Sequence, residues 1–326
     1  MQNLGVSASK IILLCATFTI AIVQSINAHE DARPEVLEGP YLGQEPPGST
    51  PEVFAPGIVT TERFEYGATF TPDLEELYFI RATGEGRNRE FVAFKNEGGQ
   101  WVETVISRAI GQPLISPDGI TMHLGRRYLE RTTDGWSEVQ ELDQSFNEEN
   151  RFIMRMSSSE NGTYFFDTFD ENNPDFPLRY SRLVNGEREA PKELSEVINS
   201  GSQMAHPFIA PDESYLIWDA IRDEGFGDSD IYISFRDKDG EWGSPLNLGD
   251  KINTAGWDAA ASVTPDGKFI FFHRTTRSDD SEQLPNTDIY WVSADIIEEL
   301  RVENIDSTTA SSYLCLLYTS PSPRDS

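Results

Sequence analysis

Three observations predict an all-β fold, a single β-propeller of five four-stranded blades. Five times the chain repeats an apolar strand, a turn of the Pro-Asp type and a second apolar strand. Successive turns are 43 to 54 residues apart, which is the period of a propeller blade. Residues 51–301 are enough for one closed propeller, and no break in composition divides them. The five turns begin at Thr71, Ser116, Ser159, Ala210 and Thr264.

Each repeat contains further segments that predict strands. They are enriched in β-branched and aromatic residues, which favours strands over helices. The strand after the turn spans 77–80, 121–124, 164–166, 215–218 and 269–272, and the third strand spans 91–94, 127–130, 178–181, 231–234 and 289–292. Glycine-containing turns then lead to outer strands at 101–105, 136–139, 189–194 and 242–248. We expect the recurring Trp101, Trp136 and Trp242 to fill the core between blades.

The segment 53–55 precedes the first repeat and is a spare outer strand. We expect it to complete the fifth blade, beside the strand at 288–292. Closure of this kind removes exposed sheet edges. Six blades is the alternative.

The ends of the chain do not belong to the propeller pattern. Residues 1–28 combine one charge, Lys10, with an apolar run and small residues before Ala28, which is typical of a secretory signal peptide. Residues 29–50 are proline-rich and predict an extended, unpacked leader. Residues 302–314 form a tail. The codons that encode the run from Cys315 to Asp325 can be written as a transposase adapter of sequencing libraries, so we interpret residues 315–326 as translated adapter.

A signal peptide predicts that the protein is periplasmic or secreted. Cys15 leaves with the signal and Cys315 belongs to the adapter-like run, so we expect neither disulfides nor thiol chemistry. The net charge of −29 predicts repulsion from nucleic acids and from anionic membrane surfaces. We therefore expect no nucleic-acid partner, no membrane insertion after signal cleavage, and a monomer.

Two segments resemble the TolB-like, WD-repeat-like propeller blade with the Pro-Asp turn. Residues 230–254 contain DIY, DGEWGSPLNLG and INT in that order, and residues 263–272 read VTPDGKFIFF. The resemblance covers about residues 41–301 and departs in the third repeat, where Glu160 and Asn161 replace Pro and Asp. It implies an exported stand-alone propeller that binds proteins or ligands. The sequence shows no counterpart of the extra N-terminal domain of TolB, so the role of TolB is not carried over.

Propellers bind ligands at the mouth of the central channel, where the inner strands begin. Counting back seven and five residues from the Pro position of each turn places polar side chains at matching points of one ring. Ordinary solvated loop residues are the favoured interpretation of these positions, and the functional interpretation is a binding site there for a protein, a small molecule or a glycan. The ring consists of Glu65, Gln112, Arg155, His206 and Asp258.

Glycoside hydrolysis is the second hypothesis for this ring. Five-bladed glycoside hydrolases hold carboxylates around such a channel, and Glu65 and Asp258 would serve as acid and base. The sequence contains no nucleophile elbow, P-loop, zinc-protease motif or dinucleotide fingerprint. We therefore expect a binding scaffold rather than an enzyme, and we assign no catalytic residue.

Two loops are dense in the oxygen ligands that calcium prefers. Neither has the spacing of an EF-hand, so solvated loops are the favoured interpretation. We expect no cofactor, with calcium as the alternative. The loops contain Asp167, Asp170, Glu171, Asn172, Asn173 and Asp175, and Asp223, Glu224, Asp228 and Asp230.

Deletion of residues 315–326 is expected to leave the melting temperature unchanged, because the run follows the last strand of the propeller pattern. Calorimetry of the full and the shortened chain checks this. A clear loss of stability on deletion would show that the run is native and packed.

Overall fold

The computed structural model describes residues 37–83, 88–146, 152–169, 177–276 and 286–304. In these ranges the chain forms a β-propeller of five blades, as the repeat predicts, rather than six. The predicted signal peptide, the adapter-like run, residues 29–36 of the leader and residues 305–314 of the tail lie outside the described residues.

Each blade is an antiparallel sheet whose strands follow one another from the channel outwards. Strand β1 (Glu52–Val53) precedes the first blade. Blade 1 contains β2 (Glu65–Phe70), β3 (Glu76–Thr83), β4 (Asn88–Glu97) and β5 (Gln100–Arg108). Blade 2 contains β6 (Pro113–Ile115), β7 (Thr121–Leu124), β8 (Arg127–Thr132) and β10 (Gln140–Glu141), with β9 (Gly135–Trp136) paired to β8.

Blade 3 contains β11 (Met156–Ser158), β12 (Tyr164–Phe166), β13 (Arg179–Ser181) and β16 (Lys192–Glu193), while β14 (Leu183–Val184) and β15 (Glu187–Arg188) form a separate hairpin. Blade 4 contains β17 (Ser202–Ile209), β18 (Tyr215–Ile221), β19 (Asp230–Phe235) and β20 (Leu246–Asn247). Blade 5 contains β21 (Trp257–Val263), β22 (Phe269–Thr276) and β23 (Asn286–Ser293), and β1 is its outer strand.

The five predicted turns all form. In each, the backbone N–H of the fourth residue donates to the carbonyl oxygen of the first, at 2.8 to 3.0 Å. In blade 1 the Thr71 hydroxyl lies 2.6 Å from Asp73 Oδ1 and accepts the N–H of Glu76 at 3.0 Å, which fixes the start of the next strand. Blades 2 and 5 repeat this arrangement. Blade 3 keeps the turn although it lacks the Pro-Asp pair. Gly162 takes the fourth position with a φ of 72°, and the N–H of Thr163 donates to the Ser159 hydroxyl at 3.2 Å.

The chain closes by pairing its N-terminal strand with its last blade. Glu52 lies opposite Trp291 and Val53 lies opposite Tyr290, which confirms the predicted closure. The next residue, Phe54, is fully buried. Its ring contacts the rings of Phe271 and Trp291 in T-shaped geometry, with centroids 4.8 and 5.1 Å apart.

The leader packs against the seam between blades 5 and 1. Residues 40–43 form a tight turn in which Tyr41 and Leu42 have left-handed φ values of 52° and 58°. Both side chains are buried in the same cluster as Phe54. The Tyr41 hydroxyl donates to Asp266 at 2.7 Å. We predicted an unpacked leader from its prolines, and this prediction is wrong at Tyr41 and Leu42. Two apolar side chains next to the closing seam gain more from burial there than from solvation.

Outer strands differ most from the prediction. In blades 2, 3 and 4 the outer strand has two residues and begins later than the sequence indicates. Trp136 therefore precedes the outer strand β10 of blade 2, and Trp242 precedes the outer strand β20 of blade 4. Both tryptophans contact the preceding blade, as expected of a core between blades. Trp136 donates its indole N–H to Tyr78 at 2.8 Å, and Trp242 packs edge-on against Phe165.

A helix over residues 295–304 follows β23. Its buried Ile297 joins the apolar cluster between blades 4 and 5. Within the described ranges, no helix is both long and apolar enough to cross a bilayer.

Phe54→Ala is expected to lower the free energy of unfolding by about 3–5 kcal/mol, because it opens a cavity at the closing seam. Phe226→Ala is the matched control, since the Phe226 side chain is 48% exposed and its loss should change stability little. Urea unfolding of the two variants measures both effects. Equal effects would mean that the seam does not hold the ring closed.

Candidate functional site

A bulge near the start of three inner strands shapes the channel. Gly67, His206 and Ala260 each lie five residues before the turn's Pro position and have φ values of 68°, 51° and 54°. The pairing register shifts at these points in blades 1, 4 and 5. For a non-glycine residue this left-handed conformation costs roughly 1–2 kcal/mol. A compensating contact is therefore expected at His206 and Ala260.

Buried carboxylates of the preceding blade supply that contact. The N–H of His206 in blade 4 donates to Asp167 of blade 3 at 3.0 Å, and the N–H of Ala260 in blade 5 donates to Asp219 of blade 4 at 2.9 Å. Both carboxylates are fully buried. Burial raises the pKa of Asp167, and the neighbouring His206 and three backbone N–H groups oppose that rise. Each carboxylate thus links one blade to the next.

His206 is held between two polar partners. Its Nδ1 lies 2.9 Å from Asp219 Oδ1, and its Nε2 lies 3.0 Å from the Gln112 side-chain nitrogen of blade 2. Burial favours the neutral imidazole, but Asp219, with Asp167 further away, outweighs burial and raises the pKa of His206 above 6.5. The contact between Gln112 and His206 joins blades 2 and 4 directly.

Arg155 of blade 3 is a fully buried cation. Its Nη1 donates to the Ala261 carbonyl of blade 5 at 3.1 Å, whereas Nε and Nη2 have no partner among the described residues. Burial lowers the pKa of Arg155 to about 10, against the effect of Asp219 and Asp167, so the guanidinium stays charged at neutral pH. Side chains of blades 2 and 3 therefore reach blades 4 and 5, which closes the middle of the channel.

His273 completes this cluster in blade 5. It lies eight residues after its turn's Pro position, where blade 4 has Asp219. Its ring centroid lies 6.2 Å from that of His206. Burial and the charges of His206 and Arg155 hold the pKa of His273 well below 6.5, so this imidazole is neutral at pH 7.

The structure places Glu65 and Asp258 elsewhere. Both side chains are fully buried, and each binds a threonine four residues earlier and an arginine of its own blade. Glu65 lies 3.6 Å from the Nε of Arg81, and Asp258 lies 2.6 Å from the Nε of Arg274. Burial raises the pKa of Glu65, which Thr61 and Arg81 oppose. These two carboxylates brace blades 1 and 5, the blades that closure brings together.

The predicted ring therefore divides into two groups. Gln112, Arg155 and His206, all five residues before a Pro position, meet in the channel, while Glu65 and Asp258, seven residues before, form ion pairs inside their blades. Sequence reasoning did not assign Asp219 or His273 to the channel. A charged residue that directly follows the apolar run 215–218 was the available signal for Asp219, because charges are rarely buried without a partner.

Neither acidic loop shows a metal cage in its described part. Residues 170–176 lie outside the described residues, and Asp167 belongs to the channel cluster. Asp230 accepts the N–H groups of Phe226 and Gly227 and the side-chain amide of Asn247. In the described ranges no three His, Cys, Asp or Glu side chains converge as a metal site would require.

A separate cavity of about 200 Å³ opens at the other end of the channel, among the five turns. Every blade contributes to its wall. The side chains are mostly apolar, with two serines of β11 among them. Representative residues, one from each blade in order, are Phe70, Leu114, Ser158, Phe208 and Val263.

No protein-family model and no curated protein matches this chain. Among solved structures, TolB from Acinetobacter baumannii is similar with a TM-score of 0.42 and 15% identity, over 71% of this chain and 57% of that one. The catalytic domain of a GH62 α-L-arabinofuranosidase from Coprinopsis cinerea has a TM-score of 0.44 and 9% identity, over 76% of this chain and 98% of that one. An α-L-arabinofuranosidase from Podospora anserina, in complex with cellotriose, has a TM-score of 0.43 and 10% identity, over 76% of this chain and 94% of that one. At these values none of the three assigns an activity to this chain.

The contact of His206 with Asp219 makes the stability of the folded chain depend on pH. Because the folded pKa of His206 lies above its unfolded value of 6.5, its contribution to stability is complete below that pH. The contribution is lost as the pH rises through the folded pKa.

Asp219→Asn is expected to lower the pKa of His206 below 6.5, because burial remains and the neighbouring carboxylate is gone. The chain has four histidines, so NMR titration of the imidazoles can resolve it. Asp212→Asn, in a turn of the same blade, is the control and should leave this pKa unchanged. An unchanged pKa of His206 in Asp219→Asn would contradict the interaction between His206 and Asp219.

Proposed function

We propose that this protein is an exported binding scaffold that takes up an apolar group of a protein or small-molecule ligand. The observation that carries the proposal is the cavity at the turn end of the channel, which all five blades line and which is about 200 Å³ in volume. Ligand sites in proteins are concave, mostly apolar and supplied with a few polar groups. Phe70, Phe208 and Val263 provide apolar wall, and Ser157 and Ser158 provide hydroxyl groups.

The volume limits what can enter. Pockets for whole small-molecule ligands usually measure about 300–1,000 Å³. A cavity of about 200 Å³ suits one large side chain or the apolar end of a ligand, with the remainder outside. The net charge of −29 favours a ligand or partner whose outer part is neutral or basic, because an acidic surface attracts cations over long range.

The buried state of the two candidate carboxylates supports binding over hydrolysis. A glycoside hydrolase needs two carboxyl groups that flank the scissile bond of the bound sugar. Glu65 and Asp258 have no exposed surface, and each is held by an arginine and a threonine of its own blade. Neither reaches a substrate without breaking a buried ion pair, which typically costs about 3–5 kcal/mol.

The place of action follows from the amino-terminal pattern. A signal peptide over residues 1–28 would deliver the propeller to the periplasm or to the outside of the cell. There, as a monomer, it would bind a protein, a glycan or a small-molecule ligand.

Phe208→Ala is expected to weaken binding at least about tenfold, since the ring forms part of the cavity wall and an aromatic contact of this size contributes more than about 1.4 kcal/mol. The measurement is a thermal-shift screen of the purified chain with small molecules, glycans and short peptides. Isothermal titration of each hit, with a hydrolysis assay, then follows.

Two control variants locate the site. Phe226→Ala removes an exposed ring outside the cavity, and Gln112→Ala truncates the side chain that meets His206 in the channel. Hits that survive both and weaken in Phe208→Ala support the turn-end site. Loss of binding in Gln112→Ala alone would place the binding site at the opposite end of the channel, where the inner strands begin. If the chain hydrolyses a glycan and Asp258→Asn abolishes that activity, hydrolysis would be supported as the function in place of binding.

A further inference from the structure

Three hydroxyl groups in the wall of the turn-end cavity use their hydrogen bonds within the fold. Ser116 and Thr264 each contact the aspartate of their own turn and accept one backbone N–H. The Ser157 hydroxyl accepts the N–H of Ile209 at 3.2 Å and donates to the Phe165 carbonyl at 3.5 Å. A hydroxyl has one O–H to donate, so none of these three has a donor left for a ligand.

Ser158 differs from these three. It lies in the same wall and is 8% exposed, and within the described ranges its hydroxyl contacts only Nε2 of His123 in blade 2, at 3.1 Å. His123 is 1% exposed, and its Nδ1 has no partner among the described residues. Burial, with the charge of Arg188, lowers the pKa of His123 to about 4, so the imidazole is neutral at pH 7. A neutral imidazole has one N–H, on either Nε2 or Nδ1.

The burial of Nδ1 indicates which nitrogen carries the proton. A proton on Nδ1 would leave a buried N–H without an acceptor, and such groups are rarer in folded proteins than buried acceptors without a donor. With the proton on Nε2, this nitrogen donates to the Ser158 oxygen, and only a lone pair is unpaired at Nδ1. The O–H of Ser158 is then free to donate, in a side chain that forms part of the cavity wall.

We propose that the Ser158 hydroxyl donates a hydrogen bond to a neutral acceptor, such as a carbonyl oxygen, on the apolar group that enters the turn-end cavity. His123 is a positioning residue, because its Nε2–H occupies a lone pair of the serine oxygen and leaves the O–H for the ligand. The proposal rests on the binding proposed above and adds the chemistry of the bound group.

The charge around the cavity favours a neutral acceptor over an anionic one. Each turn has one exposed carboxylate, at its second or third position, and the five turns contain no lysine or arginine. Glu160 is itself part of the wall, and each of the other four directly follows a proline of the wall. These side chains would repel a carboxylate on the ligand. The five carboxylates belong to Asp73, Asp118, Glu160, Asp212 and Asp266.

The same pair is poorly suited to nucleophilic catalysis. In serine hydrolases a carboxylate holds the second nitrogen of the histidine, whereas Nδ1 of His123 has no such partner among the described residues. An imidazole with a pKa of about 4 is also a weak base at pH 7. Ser158 and His123 therefore fit recognition of a ligand better than attack on it.

Binding of three small aromatic probes to the full chain tests the proposal. Acetophenone carries a carbonyl group, α-methylstyrene has a methylene group in place of that oxygen, and benzoate carries a carboxylate. We expect Ser158→Ala to weaken acetophenone binding at least about threefold, because a hydrogen bond is lost, and to change α-methylstyrene binding less than about twofold. Benzoate should bind more weakly than acetophenone. Titrations followed by NMR give the dissociation constants.

Two further variants serve as controls. Phe208→Ala should weaken acetophenone and α-methylstyrene alike, which places both probes in the cavity. Ser157→Ala removes the neighbouring hydroxyl, whose O–H is used within the fold, and should affect the two probes to the same extent.

The proton of His123 is measured without any ligand. Long-range ¹H–¹⁵N correlation at pH 7 shows which ring nitrogen carries it, and we expect Nε2. Nuclear Overhauser contacts to Tyr164, whose ring centroid lies 5.0 Å away, identify the His123 ring among the four histidines. A proton on Nδ1 would overturn the proposal, because Ser158 would then donate its O–H to His123.

Failure of the hydrogen bond and failure of the cavity give different results. If acetophenone and α-methylstyrene both bind and respond equally to Ser158→Ala, the cavity takes up apolar groups but the role of Ser158 is wrong. If neither probe binds, the binding proposed at the turn end is wrong, and the role of Ser158 is wrong with it. Benzoate that binds as tightly as acetophenone would overturn the preference for a neutral acceptor.

Discussion

Ring closure is the constraint on which the rest of this structure depends. Five blades enclose one channel only if the fifth blade also packs on the first, and the chain must supply that last connection from its other end. β1 does so with two residues, and Phe54 and Tyr41 then pack at the same seam. Because two paired residues contribute little by themselves, the aromatic burial next to them carries most of the stabilisation.

Closure creates a narrow channel in which charge must be neutralised. Arg155 and the carboxylates of Asp167 and Asp219 are fully buried there, and His206 lies between them. The carboxylates satisfy N–H groups that the bulges turn out of the strand ladder, so the same groups link blades and offset backbone strain. A cluster of this kind costs desolvation energy, and the hydrogen bonds that it makes between blades specify how the blades align.

The same packing separates the two ends of the channel chemically. Polar side chains fill its middle, whereas the turn end keeps an apolar cavity. A ligand bound at the turn end, as we propose, would leave the ion pairs of Arg81 and Arg274 intact. The ionisable groups of the channel make contacts within and between blades, whereas the cavity at the turn end is lined by few such groups.

Local chemistry was readable from the sequence by itself. Thr71-Pro72-Asp73 and its equivalents fix their turns through contacts within six residues, so blade number and closure could be predicted. The positions of Gln112, Arg155 and His206 in one cluster also followed from the repeat. Asp219 and His273 could not be placed, nor could the pairing of Glu65 with Arg81, because bulges at Gly67, His206 and Ala260 change which side chains face the channel. Those bulges depend on contacts between blades, which exist only in the closed ring.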